Sequence, residues 1–216
     1  MPKTDKREYR SMPLMVSQRA EGETENYKVR GYATTFNEPY DLFEGWDGQM
    51  IHEVMDPAAF NGADLSDVIM QYDHYGMVYA RNKNGSLTLT VDDHGLMVEA
   101  DLGLTTESRK LYEAISAGLI TEMSFAFTIT EESYDKESHT YRVLKIGKVY
   151  DVSAVSIPAN PGTEISAARK KRMDGLIQEE QAERLAQEAR RNKIRMMRIK
   201  VKVARAGIRG EEKHNG

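Results

Sequence analysis

The chain has 216 residues and a mass of 24.5 kDa, room for one domain of ordinary size with or without an extension. It contains no cysteine, which excludes disulfides, thiolate metal sites, iron–sulfur clusters and cysteine nucleophiles. The net charge of −4 conceals a division: residues 164–216 hold 15 Lys and Arg against 8 Asp and Glu, and the remainder holds 15 against 26.

All 17 Phe, Trp and Tyr lie at or before Tyr150. Aromatic rings supply much of a core's buried area, so the core belongs to the acidic part. The turn Pro158-Ala159-Asn160-Pro161-Gly162 makes a natural boundary, which sets the end of the domain near residue 165. No segment approaches the roughly 18 consecutive apolar residues of a membrane span. The charged first ten residues lack the apolar stretch of a signal peptide, so the chain is expected to be cytosolic where it is made.

Residues 1–26 are polar and turn-rich and read as a flexible arm, with at most a short strand near Met12–Val16. Residues 27–36 alternate aromatic and β-branched side chains and predict a strand. A loop over 38–49 and a short strand at Met50–Val54 follow. Asp56-Pro57 before Ala58-Ala59-Phe60 resembles a capped helix start. Val68, Met70, Tyr72 and His74 alternate along a strand that ends at a Tyr75-Gly76 turn. Residues 86–103 predict a hairpin around Asp93-His94-Gly95, with Leu87, Leu89 and Val91 facing Leu96, Val98 and Ala100. Thr105 to Ala117 predicts a helix with Leu111, Ala114 and Ile115 on one face and Gly118 as its stop. In the strand over 121–130, Met123, Phe125, Phe127 and Ile129 point one way, and Ser124, Ala126 and Thr128 the other. Two strands, 140–146 and 148–157, complete a domain over 27–165. This is a mostly β fold, expected as a small, mainly antiparallel β-barrel with helices outside. Residues 166–206 are rich in good helix formers and predict a basic helical tail, with 207–216 disordered.

Of the five histidines, His94, His139 and His214 read as solvated surface residues, and His52 beside Glu53 carries no clear assignment. His74 sits at a strand end beside a loop, where it can reach a cleft, although residue type alone favours a packed structural histidine. Ser124 reads either as a small residue on the wet side of a sheet or as a nucleophile on a rigid strand. A nucleophilic serine needs a base and a group to orient that base. Asp151 interrupts an otherwise apolar strand, where an unpaired carboxylate is costly, and so is the leading third member, ahead of Asp73 and Ser153. Asp92-Asp93-His94 has metal-ligand chemistry but reads as an acidic turn. No Walker loop or dinucleotide fingerprint is present, so no cofactor or metal is expected. The tail's basic residues lack aromatic partners for base stacking, which disfavours nucleic acid.

Six segments in order resemble the prohead (capsid maturation) serine proteases of tailed bacteriophages, a family related to the herpesvirus assemblins. They are Arg30–Asn37, Glu53–Phe60, Gln71–His74, Asp93–Ala100, Met123–Phe127 and Tyr150–Pro161, spanning roughly residues 28–162. Ala58 and Ala126 stand where the family usually has glycine, and Asp151 where it usually has glutamate. The resemblance implies a serine endopeptidase with His74 as base, Ser124 as nucleophile and Asp151 orienting the histidine. Backbone N–H groups in the loop Ile157–Gly162 could form the oxyanion hole. It also implies that the enzyme cleaves scaffold, or the scaffolding arm of the major capsid protein, and itself. Its place of action would be the host cytoplasm and then the prohead interior. The basic tail would dock on scaffold or shell, and self-association is possible. The competing reading is a non-enzymatic capsid-assembly or scaffold-like module on an inactive protease fold.

Overall fold

A computed structural model describes residues 7–16, 26–45, 48–156 and 167–211, with backbone alone for 167–170, 172 and 203–211. The strands are β1 (Glu8–Pro13), β2 (Met15–Val16), β3 (Lys28–Thr35), β4 (Pro39–Glu44), β5 (Met50–Met55), β6 (Ile69–Tyr72), β7 (Tyr75–Arg81), β8 (Leu87–Val91), β9 (Gly95–Asp101), β10 (Glu122–Asp135) and β11 (Thr140–Val155). Helix α1 spans Thr106–Ser116 and helix α2 spans Ala167–Glu211. The chain divides into two compact units, Met1–Lys170 and Lys171–Gly216.

Two sheets build the first unit. One runs β1-β10-β11-β5-β4, with β6 also paired to β11 and β7 to β6; the other runs β2-β3-β9-β8. All ladders are antiparallel except β11 with β5 and β11 with β6. Both sheets feed one core: Val29, Leu96 and Val98 from the smaller, Met70, Met123, Phe125, Phe127 and Val152 from the larger, and Leu111 and Ile115 from α1. The fold is therefore mostly β and mainly antiparallel, with a C-terminal helix. Among the described residues neither sheet closes, because β1, β4 and β7 in the larger and β2 and β8 in the smaller each pair on one side only, so a barrel is not shown.

The 86–103 hairpin and α1 form as the sequence predicts. Thr105 caps α1 by accepting a 3.0 Å hydrogen bond from the Ser108 N–H, and Gly118 sits at a left-handed φ of 71° after it. Other elements differ. β1 occupies part of the segment expected to be a loose arm, β2 falls within the short strand expected near Met12–Val16, and β4 occupies the expected loop. Residues 57–62 form turns rather than a helix, although the Asp56 carboxylate does accept from the Ala58 N–H at 2.9 Å. Residues 140–155 form one strand, not two. Its register with β10 shifts repeatedly over the stretch facing 126–132, and such bulges absorb the break in side-chain alternation that suggested two strands. Gly147 lies within it because a Cβ there would meet Thr130 Cγ2 at 2.8 Å. Helix α2 continues past residue 206 to Glu211, where residues 212–216 lie outside the described set.

Candidate active site

Sheet register aligns the candidate residues in two adjacent rows. Partners across a ladder point to the same face, so Tyr9 (β1), Ala126 (β10) and Asp151 (β11) form one row. Ser11, Ser124 and Ser153 form the next, followed on β6 by Gln71. Same-face residues on one strand lie about 6.6 Å apart, which sets the spacing of the rows. The opposite face of β10 carries Met123, Phe125 and Phe127 into the core. The face with Ser124, Ala126 and Thr128 is not a wet side of the sheet, since all three are buried.

His74 enters this face by an unusual backbone route. The β6–β7 connection is Asp73-His74, and both have positive φ, 49° and 58°, as a two-residue hairpin of the primed type requires. This moves the turn two residues ahead of the expected Tyr75-Gly76. Simple alternation from Val68 and Met70, both buried in the core, would aim His74 at the core as well. The two left-handed residues instead bring its ring over the other face. Its Nδ1 lies 2.5 Å from Asp151 Oδ1, and its ring packs edge-to-face on Tyr9 with centroids 4.6 Å apart. Since Asp151 and Tyr9 sit on either side of Ala126, the imidazole lies across β10 at Ala126, where a small side chain leaves room for it.

Asp151 is 3% exposed at its side chain, and the same Oδ1 accepts a 2.8 Å hydrogen bond from Ser153 Oγ. A buried carboxylate needs such partners. An ionised carboxylate can only accept, so the Nδ1 contact places a proton there and leaves Nε2 as the basic nitrogen. Ser124 is fully buried, and its Oγ makes no hydrogen bond among the described residues. Along the same face, Glu122 is partly buried, and burial pushes its carboxyl above the usual range.

The other candidates lie apart. Asp73 accepts from the Ser156 N–H at 2.8 Å and from its Oγ, which ties the β6–β7 turn to the end of β11 and leaves Asp73 out of the histidine contact. The Asp92 carboxylate accepts from the N–H groups of His94 and Gly95 and from the Tyr32 hydroxyl, an ordinary turn. Among the described residues no group of three acidic or histidine side chains could hold a metal. His52 pairs with Asp41 at 2.8 Å, and His139 Nδ1 lies 3.1 Å from the Tyr134 hydroxyl. His214 and the expected oxyanion loop Ile157–Gly162 lie outside the described residues.

A family model, caudovirus prohead serine protease, matches residues 14–178 of the chain. The chain belongs to that family. Membership carries a protease role in phage capsid maturation, with capsid or scaffold proteins as the general substrate class and the assembling capsid as the place of action. The match concerns the phage proteases and does not extend to the herpesvirus assemblins. No curated protein and no solved structure matches the chain. No helix among the described residues is long and apolar enough to cross a membrane. The match begins after β1, so Tyr9 and Ser11, which complete the two rows, precede it. No polarity alternation marks them in the sequence, because the residues that flank Tyr9, Glu8 and Arg10, are charged yet buried.

Proposed function

We propose that this prohead protease works as a serine endopeptidase through Ser124, His74 and Asp151. The observation that carries the reading is the Nδ1–Asp151 hydrogen bond of an imidazole lying one row from Ser124 on the same sheet face. Ser124 Oγ attacks the scissile carbonyl while Nε2 of His74 takes its proton. The resulting imidazolium is offset by Asp151, and His74 then returns the proton to the departing amine. Ser153 holds Asp151 through the 2.8 Å hydrogen bond, which supports a shorter carboxylate in the orienting role. The Ser124–His74 hydrogen bond forms on substrate binding, since such bonds often tighten only in the Michaelis complex. The reaction also needs oxyanion donors, for which the loop Ile157–Gly162 is the candidate segment.

The substrates are scaffold, or the scaffolding arm of the capsid protein, and the chain itself. The basic stretch of α2 docks on scaffold or shell. Between Glu188 and Glu211 it holds nine Lys and Arg and no acidic residue, which favours an acidic partner.

Intact-mass spectrometry of wild type beside Ser124→Ala tests the reading, each alone and co-expressed with the capsid protein. Fragments present in wild type and absent in the mutant are expected. Identical masses in all samples would replace it with a non-enzymatic assembly module.

A further inference from the structure

The imidazole of His74 is held from two sides, and only one of them is a triad member. From the geometry we infer that Tyr9 is a positioning residue for the reaction, and that strand β1 is part of the active site. The inference rests on His74 being the base.

A single hydrogen bond from Nδ1 to Asp151 leaves the ring free to pivot about that bond. The pivot would carry Nε2 away from the Ser124 row. Tyr9 blocks it: its ring meets the imidazole at an interplanar angle of 70° with centroids 4.6 Å apart. Tyr9 and Asp151 both register on Ala126, from opposite sides, so the ring is clamped across β10.

Tyr9 is in turn held by its strand. Its neighbour Arg10 points to the other face, where Nε and Nη2 donate to the two Glu53 carboxylate oxygens at 2.6 and 2.8 Å, with both side chains under 5% exposed. Arg10 Nη1 also donates to the Tyr9 carbonyl. On the site face, the Arg7 guanidinium lies 4.0 Å from the centre of the Tyr150 ring, next to Asp151 in sequence. The residue that limits the base is therefore anchored on both sides of the sheet.

The test uses the full chain and a fluorophosphonate probe. Ser124 Oγ would form a bond to phosphorus, fluoride would leave, and the serine proton would pass to His74. The rate of mass gain is measured against probe concentration for wild type, Tyr9→Phe, Tyr9→Leu and Tyr9→Ala. Thermal melting of each is measured in parallel. Tyr9→Ala and Tyr9→Leu should lower the maximal labelling rate about tenfold, the scale of one lost aromatic contact and a displaced base. The half-saturating probe concentration should stay the same, and Tyr9→Phe should restore the rate because the ring does the positioning. Unchanged maximal rates in folded Tyr9→Leu would overturn the inference while leaving the triad intact. A Tyr9→Phe rate as low as that of Tyr9→Ala would overturn it too. Labelling of wild type that persists in Ser124→Ala, or no labelling of wild type, would remove the catalytic reading and the inference together.

Discussion

The Arg10–Glu53 pair offers the sharpest test of how β1 is held. The two side chains are 3% and 4% exposed and meet through two parallel hydrogen bonds, with the guanidinium 5.5 Å from the centre of the Phe127 ring. Glu53→Leu would leave that guanidinium buried without its carboxylate. Breaking a buried pair from one side costs about 3–5 kcal/mol, against a total stability of about 5–15 kcal/mol for a domain. At about 2–4 °C per kcal/mol for a domain of this size, the melting temperature should fall by roughly 6–20 °C. Arg10→Met should do similar damage. The double variant Arg10→Met/Glu53→Leu should recover most of the loss, because removing both charges also removes their desolvation cost. Thermal melts followed by circular dichroism complete the double-mutant cycle. A drop below about 3 °C in both single variants, or a double variant that merely sums them, would refute the claim that this pair registers β1 on the sheet.

Further predictions concern the site and its surroundings. Asp151→Asn should slow fluorophosphonate labelling of Ser124 on the order of 10⁴-fold, because an amide can donate to Nδ1 and hold the wrong tautomer; Asp151→Glu should retain more of the rate. Ala126→Leu should displace the imidazole and abolish labelling, while overpacking lowers stability by about 1–3 kcal/mol. Asp73→Gly keeps the left-handed backbone but loses the ties to Ser156, so it should lower labelling less than Asp73→Val, which loses both. Asp64 and Asp67 are held well below the usual carboxylate range, the first by hydrogen bonds from Ser66 and Lys148 and the second by those from Arg81 and Lys83. Both are depressed in the folded state, so their contribution is present above pH of about 4 and fades as the pH falls below it. Urea melts between pH 6 and 2 should show stability falling in acid, and Lys148→Gln and Arg81→Gln should shallow that fall.

By itself the sequence determined the parts whose physics is local. Alternation of Met123, Phe125, Phe127 and Ile129 fixes which face of β10 enters the core, and with it that Ser124 stands on the other. The Thr105 cap and Gly118 stop bound α1, and the split between aromatic and basic residues separates the strands from the helix. Ordered motifs pointed to His74, Ser124 and Asp151. What the tertiary structure decided is non-local. No spacing rule reports that β1 pairs with β10, because the burial of Arg10 in an otherwise polar arm depends on its pairing with Glu53 of β5, 43 residues away. Nor does alternation report where His74 points, since two consecutive left-handed residues override it. The clamp on the imidazole exists only once β1, β10 and β11 stand side by side and bring Tyr9, Ala126 and Asp151 into one row.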